Sequence, residues 1–409
     1  MILGDGFKPD TEEQEPFFAA ELLRSLMEEA VRSRASDIHF EPVREGVRIR
    51  FRLDGRLKEV MRCDNQCYPT LVARLKVLSG MDISEKRKPQ DGRYTFVSEQ
   101  IEADVRVSSI PTVAGEKMVL RFFYQEVWNR DKEELGLCGE ELLRLEQILA
   151  RPHGLVLVTG PTGSGKTTTL YTVLQEMDRE EVSLVTIEEP VEVRLDGISQ
   201  IPVNTRAGLT FALALRSLLR QDPDIIMVGE IRDRETAEIA VQASITGRLV
   251  LSTLHTESAS SAVVRMLDLG VEPYLLADSL VGVAAQRLVR RLCSCRVRRE
   301  MTEKERVMLG IKGSEAHFLW EPCGCEKCHE TGYDGRTGVF EVMEVTASVR
   351  RAIREGRPSS VIRELAIKEG MKTLRENTAA MVLNGVTSFD QYVRLTDGEV
   401  ENEHVFDKE

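Results

Sequence analysis

Apolar residues first recur at helical spacing over 17–33, where Leu22, Leu23, Leu26, Met27 and Ala30 would share one face. Short apolar or alternating runs follow at 38–40, 47–51, 94–97, 103–107 and 118–122, with a helix expected over 68–79. Together these predict a smaller α+β N-terminal domain at 17–124, followed by a charged linker at 125–138. Beyond it the two periods alternate. Strands are expected at 155–159, 182–187, 225–228 and 249–252, and helices at 140–149, 167–177, 209–219 and 236–245. That alternation predicts an α/β core over 139–291, a parallel sheet with helices on both faces and ligands at the carboxyl ends of its strands. Helices at 259–268 and 273–291 lead into a cysteine-rich stretch, 292–341, and a helical C-terminal region, 342–396, with helices at 348–354, 359–369 and 371–384. Acidic segments at 1–16 and 397–409 read as poorly ordered tails.

The longest apolar run, 275–289, contains Asp278 and Arg287, so it predicts a buried helix rather than a membrane span. The first 16 residues are acidic and lack the apolar core of a signal peptide. With 42% hydrophobic and 30% charged residues, the composition is that of a soluble globular chain, expected to be cytoplasmic and to meet a membrane through partners alone. Its 409 residues exceed what one core usually serves. A net charge of −12 opposes general binding to phosphate backbones, so no direct nucleic-acid partner is expected.

The candidate chemistry begins at Gly160, Pro161, Thr162, Gly163, Ser164, Gly165, Lys166, Thr167 and Thr168, which fit the phosphate-loop pattern between a predicted strand and helix. Glycines let backbone N–H groups turn toward an anion, and the helix adds its positive end. Lys166 would reach the β/γ-phosphates and the Thr167 hydroxyl would ligate Mg²⁺, so ATP and Mg²⁺ are the expected substrate and cofactor. About 60 residues on, Asp224 to Glu230 reads as an apolar Walker B strand with Gly229 in the usual acidic position. Glu230 would then hold Mg²⁺ through water or position the attacking water. Five of the eight cysteines crowd between 293 and 328, which in a cytosolic chain points to a metal rather than disulfides; Cys63, Cys67 and Cys138 are scattered.

Further motifs are specific. They include Thr186-Ile-Glu-Glu-Pro-Val-Glu192, Leu219-Arg-Gln-Asp-Pro-Asp224, Val228-Gly-Glu-Ile-Arg-Asp233 and Leu251-Ser-Thr-Leu-His-Thr256. The N-terminal half adds Ala35-Ser-Asp-Ile-His39, Arg50-Phe-Arg-Leu-Asp-Gly55, Ser79-Gly-Met-Asp-Ile83, Pro89-Gln-Asp-Gly-Arg93 and Gly115-Glu-Lys117, and the far end adds Gly332-Tyr333 and Gly335-Arg-Thr-Gly-Val-Phe-Glu341. From about Phe17 to Thr396 the chain resembles the secretion ATPase superfamily, most closely the type II secretion and type IV pilus assembly ATPases.

This resemblance implies a RecA-like P-loop NTPase core and an acidic box in which Glu188 or Glu192 orients or deprotonates the attacking water, with Glu189 where relatives usually have Asp. His255 would sense the γ-phosphate; Arg248 stands where many relatives carry a second histidine. Arg106 and Arg121 match arginine fingers of the N-terminal domain, and His39 is read as a structural hydrogen-bonding residue. One structural Zn²⁺ is implied between Cys293, Cys295, Cys325 and Cys328, although the first pair is one residue short and Cys323 adds a spare thiol. The resemblance also implies a homo-hexamer that couples ATP hydrolysis to pilin or pseudopilin assembly through an inner-membrane platform protein. Relatives often carry an additional N-terminal docking domain, expected to be missing here because barely 16 residues precede the shared region. A pilus retraction ATPase and a DNA-translocating ATPase of conjugation or competence are the alternatives.

Overall fold

A computed structural model describes residues 15–63, 67–98, 102–124, 131–177, 180–311 and 317–403. Parts of the expected tails and linker, 1–14, 125–130 and 404–409, lie outside the described residues. The chain divides into two compact units between Val127 and Trp128.

In the first unit, α1 (Glu15–Arg32) is followed by β1 (Asp37–Val43), β2 (Gly46–Leu53), β3 (Arg56–Cys63), α2 (Tyr68–Leu78), β4 (Gln90–Val97), β5 (Glu102–Thr112) and β6 (Gly115–Tyr124). The strands form an antiparallel sheet ordered β3-β2-β1-β6-β5-β4. Period-2 alternation sends Ile38, Phe40, Ile49, Phe51, Val105 and Leu120 to a core shared with Leu22, Leu26, Leu71 and Leu75 of the helices. The opposite face is polar. Strand β3 was not anticipated: an edge strand with largely exposed, charged residues carries no alternating apolar signal.

The second unit begins with α3 (Gly139–Leu149), β7 (Gly154–Thr159), α4 (Lys166–Glu176), β8 (Leu184–Glu188), β9 (Ser199–Pro202), α5 (Phe211–Leu218), β10 (Ile225–Val228), α6 (Arg234–Ile245) and β11 (Leu249–Leu254). It continues through α7 (Ala259–Asp268), α8 (Pro273–Ser279), β12 (Leu280–Leu292), β13 (Val297–Glu300), α9 (Glu303–Met308), β14 (Phe318–Glu321) and β15 (Tyr333–Glu344). Helices α10 (Ala347–Arg354), α11 (Ser359–Lys368), α12 (Leu374–Leu383) and α13 (Phe389–Glu403) complete it. Thus α13 extends into the segment after Asp397 that was expected to be frayed.

The main sheet runs β15-β12-β7-β11-β10-β8-β9, parallel except for β15. One apolar cluster packs its strands against α5 to α8 and α10 to α12, and another packs the opposite face against α3 and α4. Every residue of β7 is buried, as a central parallel strand requires. Side-chain caps start several helices: Asp233 accepts from the Thr236 N–H at 2.8 Å, and Thr373 with Glu376 forms a capping box on α12.

The expected helix over 273–291 is corrected. Only Pro273–Ser279 is helical, and Leu280–Leu292 is a strand pairing parallel with β7 and antiparallel with β15. Burial on both faces removes the alternation that distinguishes a strand, and a long, mostly apolar run then fits either period. Strand β15 was also unanticipated.

Candidate active site

The loop after β7 occupies a carboxyl end of the parallel sheet, where β11 lies on one side of β7 and β12 on the other. Gly160 is required by close approach: a Cβ there would lie 2.4 Å from the Gln286 carbonyl oxygen and 2.6 Å from Ser164 Oγ. Gly165 ends the loop at φ +90°, a left-handed conformation, and opens α4 with its N–H groups directed at the loop. Pro161, Thr162 and Gly163 are exposed, whereas Thr167 and Thr168 are half-buried. Buried Ser164 Oγ has no hydrogen-bond partner among the described residues.

Lys166 is buried and its ammonium donates to the carbonyls of Gly160 (2.8 Å) and Pro161 (3.0 Å). Burial lowers its pKa to about 8, helped by the Arg287 charge and opposed by Glu230. A triphosphate would replace carbonyl acceptors with anionic oxygens and restore the full charge.

Three strand ends are tied together beside this loop. Ser252 Oγ donates to the Val228 carbonyl and Thr253 Oγ1 to the Gly229 carbonyl, both at 2.7 Å, while the Gly229 N–H donates to Ile187 at 2.8 Å. This holds Glu230, which pairs with Arg232 at 2.5 Å and lies 3.5 Å from His255 Nε2. His255 follows β11 on a turn fixed by the Thr256 N–H, which donates to Thr159 Oγ1 at 2.9 Å. Burial and the Lys166 charge lower the histidine's pKa below its ordinary value, against the pull of Glu230, so the ring is neutral near pH 7. The structure therefore brings Lys166, Glu230 and His255 together. Arg248 lies at the other end of β11, bonding the carbonyl and hydroxyl of Thr246 at 3.1 Å each, and so is remote from His255 by about 20 Å of strand.

In the acidic box, Glu188 closes β8 and is 3% exposed. Its Oε1 accepts from Thr186 at 2.5 Å and Gln200 at 3.1 Å, and its Oε2 accepts from the Tyr171 hydroxyl. Tyr171, from α4, also accepts from the Glu192 N–H at 3.3 Å, and burial followed by the Glu188 charge raises its pKa strongly. Between the two glutamates, Glu189–Pro190 is a cis peptide bond, with Glu189 exposed. Glu188 has the environment of an anchor, its lone pairs given to donors; Glu192 is half-buried in the loop that the anchor holds.

Sequence reasoning missed Tyr171, Gln200 and Gln286. Gln286 is buried on β12, accepts from Thr169 Oγ1 at 2.8 Å and backs the phosphate loop at Gly165. It was hidden by the misread helix; a neutral polar residue inside a mostly apolar run was the available signal.

In the first unit, Arg106 and Arg121 stand directly opposite each other on β5 and β6, on the polar sheet face. The Arg106 guanidinium lies 4.4 Å from the centre of the Phe123 ring, and Arg121 Nε donates to Asp37 at 2.8 Å. The hydrogen bond expected of His39 is not made: both ring nitrogens are buried without a partner among the described residues.

The sulfurs of Cys293, Cys295, Cys325 and Cys328 all lie within 4.8 Å of one another, with pairs at 3.6, 3.8 and 3.9 Å. Four thiolates about 2.3 Å from a tetrahedral Zn²⁺ are separated by about 3.8 Å, so the cluster fits that ion. Backbone N–H groups of Cys325 (3.1 Å) and Gly332 (3.2 Å) donate to Cys328 Sγ, the bonds a thiolate ligand needs. The short first pair converges nonetheless, because each of its cysteines meets a different partner across the knuckle. Cys323 is exposed and stands outside the group.

A family model described as Type II/IV secretion system protein matches residues 12–394. The chain is 46% identical over 376 residues to the type II secretion system protein E of Aeromonas hydrophila, covering 92% of this chain and 75% of that one. It is 46% identical over 388 residues to the type II secretion system protein HxcR of Pseudomonas aeruginosa, covering 95% and 79%. Its fold matches that of the Legionella pneumophila ATPase DotB, with a TM-score of 0.69 at 21% identity, covering 96% of this chain and 98% of that one. The phosphate loop, the parallel α/β core and these matches agree: the chain belongs to the Type II/IV secretion system protein family.

Proposed function

We propose that this protein is the ATPase of a type II secretion or type IV pilus system, working as a homo-hexamer whose ATP hydrolysis drives pilin or pseudopilin assembly through an inner-membrane platform protein. Hydrolysis of ATP is the family activity, and the observation carrying it here is the phosphate loop with Lys166 at its centre and Glu230 and His255 beside it. No described helix is long and apolar enough to cross a membrane, so membrane contact is assigned to partners.

In this reading the loop N–H groups and Lys166 hold the β/γ-phosphates, Thr167 and Glu230 would hold Mg²⁺, and Mg²⁺ supplies charge neutralisation on the phosphates. Glu192 orients and deprotonates the attacking water, while Glu188 fixes the box from beneath. His255, neutral at working pH, donates an N–H to the γ-phosphate. Arg106 and Arg121 offset charge on the transferring phosphoryl group, and we assign 17–124 as the domain that bears them. The core is assigned to 139–291, with β15 added to its sheet, the zinc knuckle to the remainder of 292–341 and the helical region to 342–396. The Cys293, Cys295, Cys325 and Cys328 site would hold Zn²⁺ structurally.

The test compares Mg²⁺-dependent ATP hydrolysis by purified wild type and Lys166→Ala. Turnover in the first and its loss in the second support the assignment; equal rates reject it.

A further inference from the structure

A row of directly opposed residues crosses the polar face of the first unit's sheet: Arg52 on β2, Asp37 on β1, Arg121 on β6, Arg106 on β5 and Arg93 on β4. Like charges placed opposite one another on adjacent strands are destabilising, and Arg121, Arg106 and Arg93 stand in sequence. Asp37 is the row's acidic member. It is 3% exposed, and its surroundings fix it: Ser36 Oγ donates to Oδ2 at 2.8 Å and Arg52 Nε lies 3.4 Å from the same oxygen. Arg52 is itself tied to the Gly55 carbonyl at 3.0 Å. The other oxygen, Oδ1, accepts from Arg121 Nε at 2.8 Å, while the Arg121 side chain remains 63% exposed.

We propose that Asp37 is a positioning residue for catalysis: it grips Arg121 by Nε, restrains the guanidinium against repulsion from Arg106, and leaves both terminal amino groups for the oxygens of a phosphoryl anion. Bidentate recognition uses those terminal groups, and the planar guanidinium loses less freedom on binding when its stem is already held. The inference rests on reading Arg121 as an arginine finger.

The experiment is a double-mutant cycle in the full chain, measuring kcat and KM for ATP in wild type, Asp37→Asn, Arg121→Ala and the double variant. Arg121→Ala is expected to lose kcat by about 100-fold or more, Asp37→Asn by about tenfold with KM changed less than about twofold, and the double variant no more than Arg121→Ala alone. A purely structural Asp37 would instead show losses that multiply in the double variant, or a matching loss of thermal stability, and either overturns the proposal. Wild-type kcat in Asp37→Asn beside an impaired Arg121→Ala overturns the positioning claim and leaves the finger. Wild-type kcat in Arg121→Ala overturns the finger and the positioning claim with it. Should Asp37→Asn fail to fold, Ser36→Ala, which removes one of the two donors to Oδ2 but retains the carboxylate, decides: a kcat drop of about two- to threefold that vanishes in the Arg121→Ala background supports the proposal, and unchanged kcat overturns it.

Discussion

Replacing Glu188 and Glu192 separately by glutamine should divide the acidic box into an anchor and a base. The Glu188 carboxylate accepts from Thr186, Gln200 and Tyr171 in a fully buried setting. An amide turns three charge-assisted bonds into neutral ones at about 1 kcal/mol each, and its NH₂ faces a donor on one side. Cheaper burial of a neutral group offsets part of this, leaving a loss of about 1–3 kcal/mol. For a unit of this size that lowers Tm by roughly 2–5 °C. Glu192 is half-buried, so Glu192→Gln should leave Tm within about 1 °C while turnover falls by about 10²- to 10⁴-fold, the usual range for a general base. Scanning calorimetry and steady-state ATPase assays on both variants give the comparison. A Glu188→Gln variant with wild-type Tm and no turnover, beside an active Glu192→Gln, would refute this division of labour.

Glu230→Gln should bind ATP with near wild-type affinity but hydrolyse it at least about tenfold more slowly; loss of nucleotide binding instead would place Glu230 in ground-state binding. Because Lys166 in the free loop has its pKa lowered to about 8, ATP binding should take up about half a proton at pH 8 and almost none at pH 6. Calorimetric titration in buffers of different ionisation enthalpy measures this uptake, and a pH-independent value, or uptake persisting in Lys166→Ala, would contradict it. The sign for stability follows as well: a lowered folded-state pKa means the native chain holds fewer protons between about 8 and 10.5, so stability should rise with pH there as far as Lys166 is concerned. Metal analysis should find about one zinc per chain, lost in Cys328→Ser and retained in Cys323→Ser, because Cys323 lies outside the sulfur cluster.

Local patterns made much of this legible. The phosphate loop was readable because its glycines are forced by backbone geometry, visible at Gly160 and Gly165, and α1 was readable because one of its faces is fully buried. Illegibility arose where burial erased period, as in β12, or where exposure did, as in β3. The consequence reached the site, since Gln286 was concealed inside the misread helix. Tyr171 and Gln200 are separated from Glu188 by 17 and 12 residues and meet it only once α4 and β9 pack beside β8. Spacing alone could nominate two glutamates for one task; distinguishing them needed the donors around each.

The measurement that bears most directly on the assembly-motor account is the ATPase rate of the purified protein together with its mass in solution. It is taken with and without the cytoplasmic domain of a platform protein, and with and without DNA. The account predicts a six-subunit species whose turnover rises with the platform domain and ignores DNA; a monomer unresponsive to the platform domain and stimulated by DNA would contradict it.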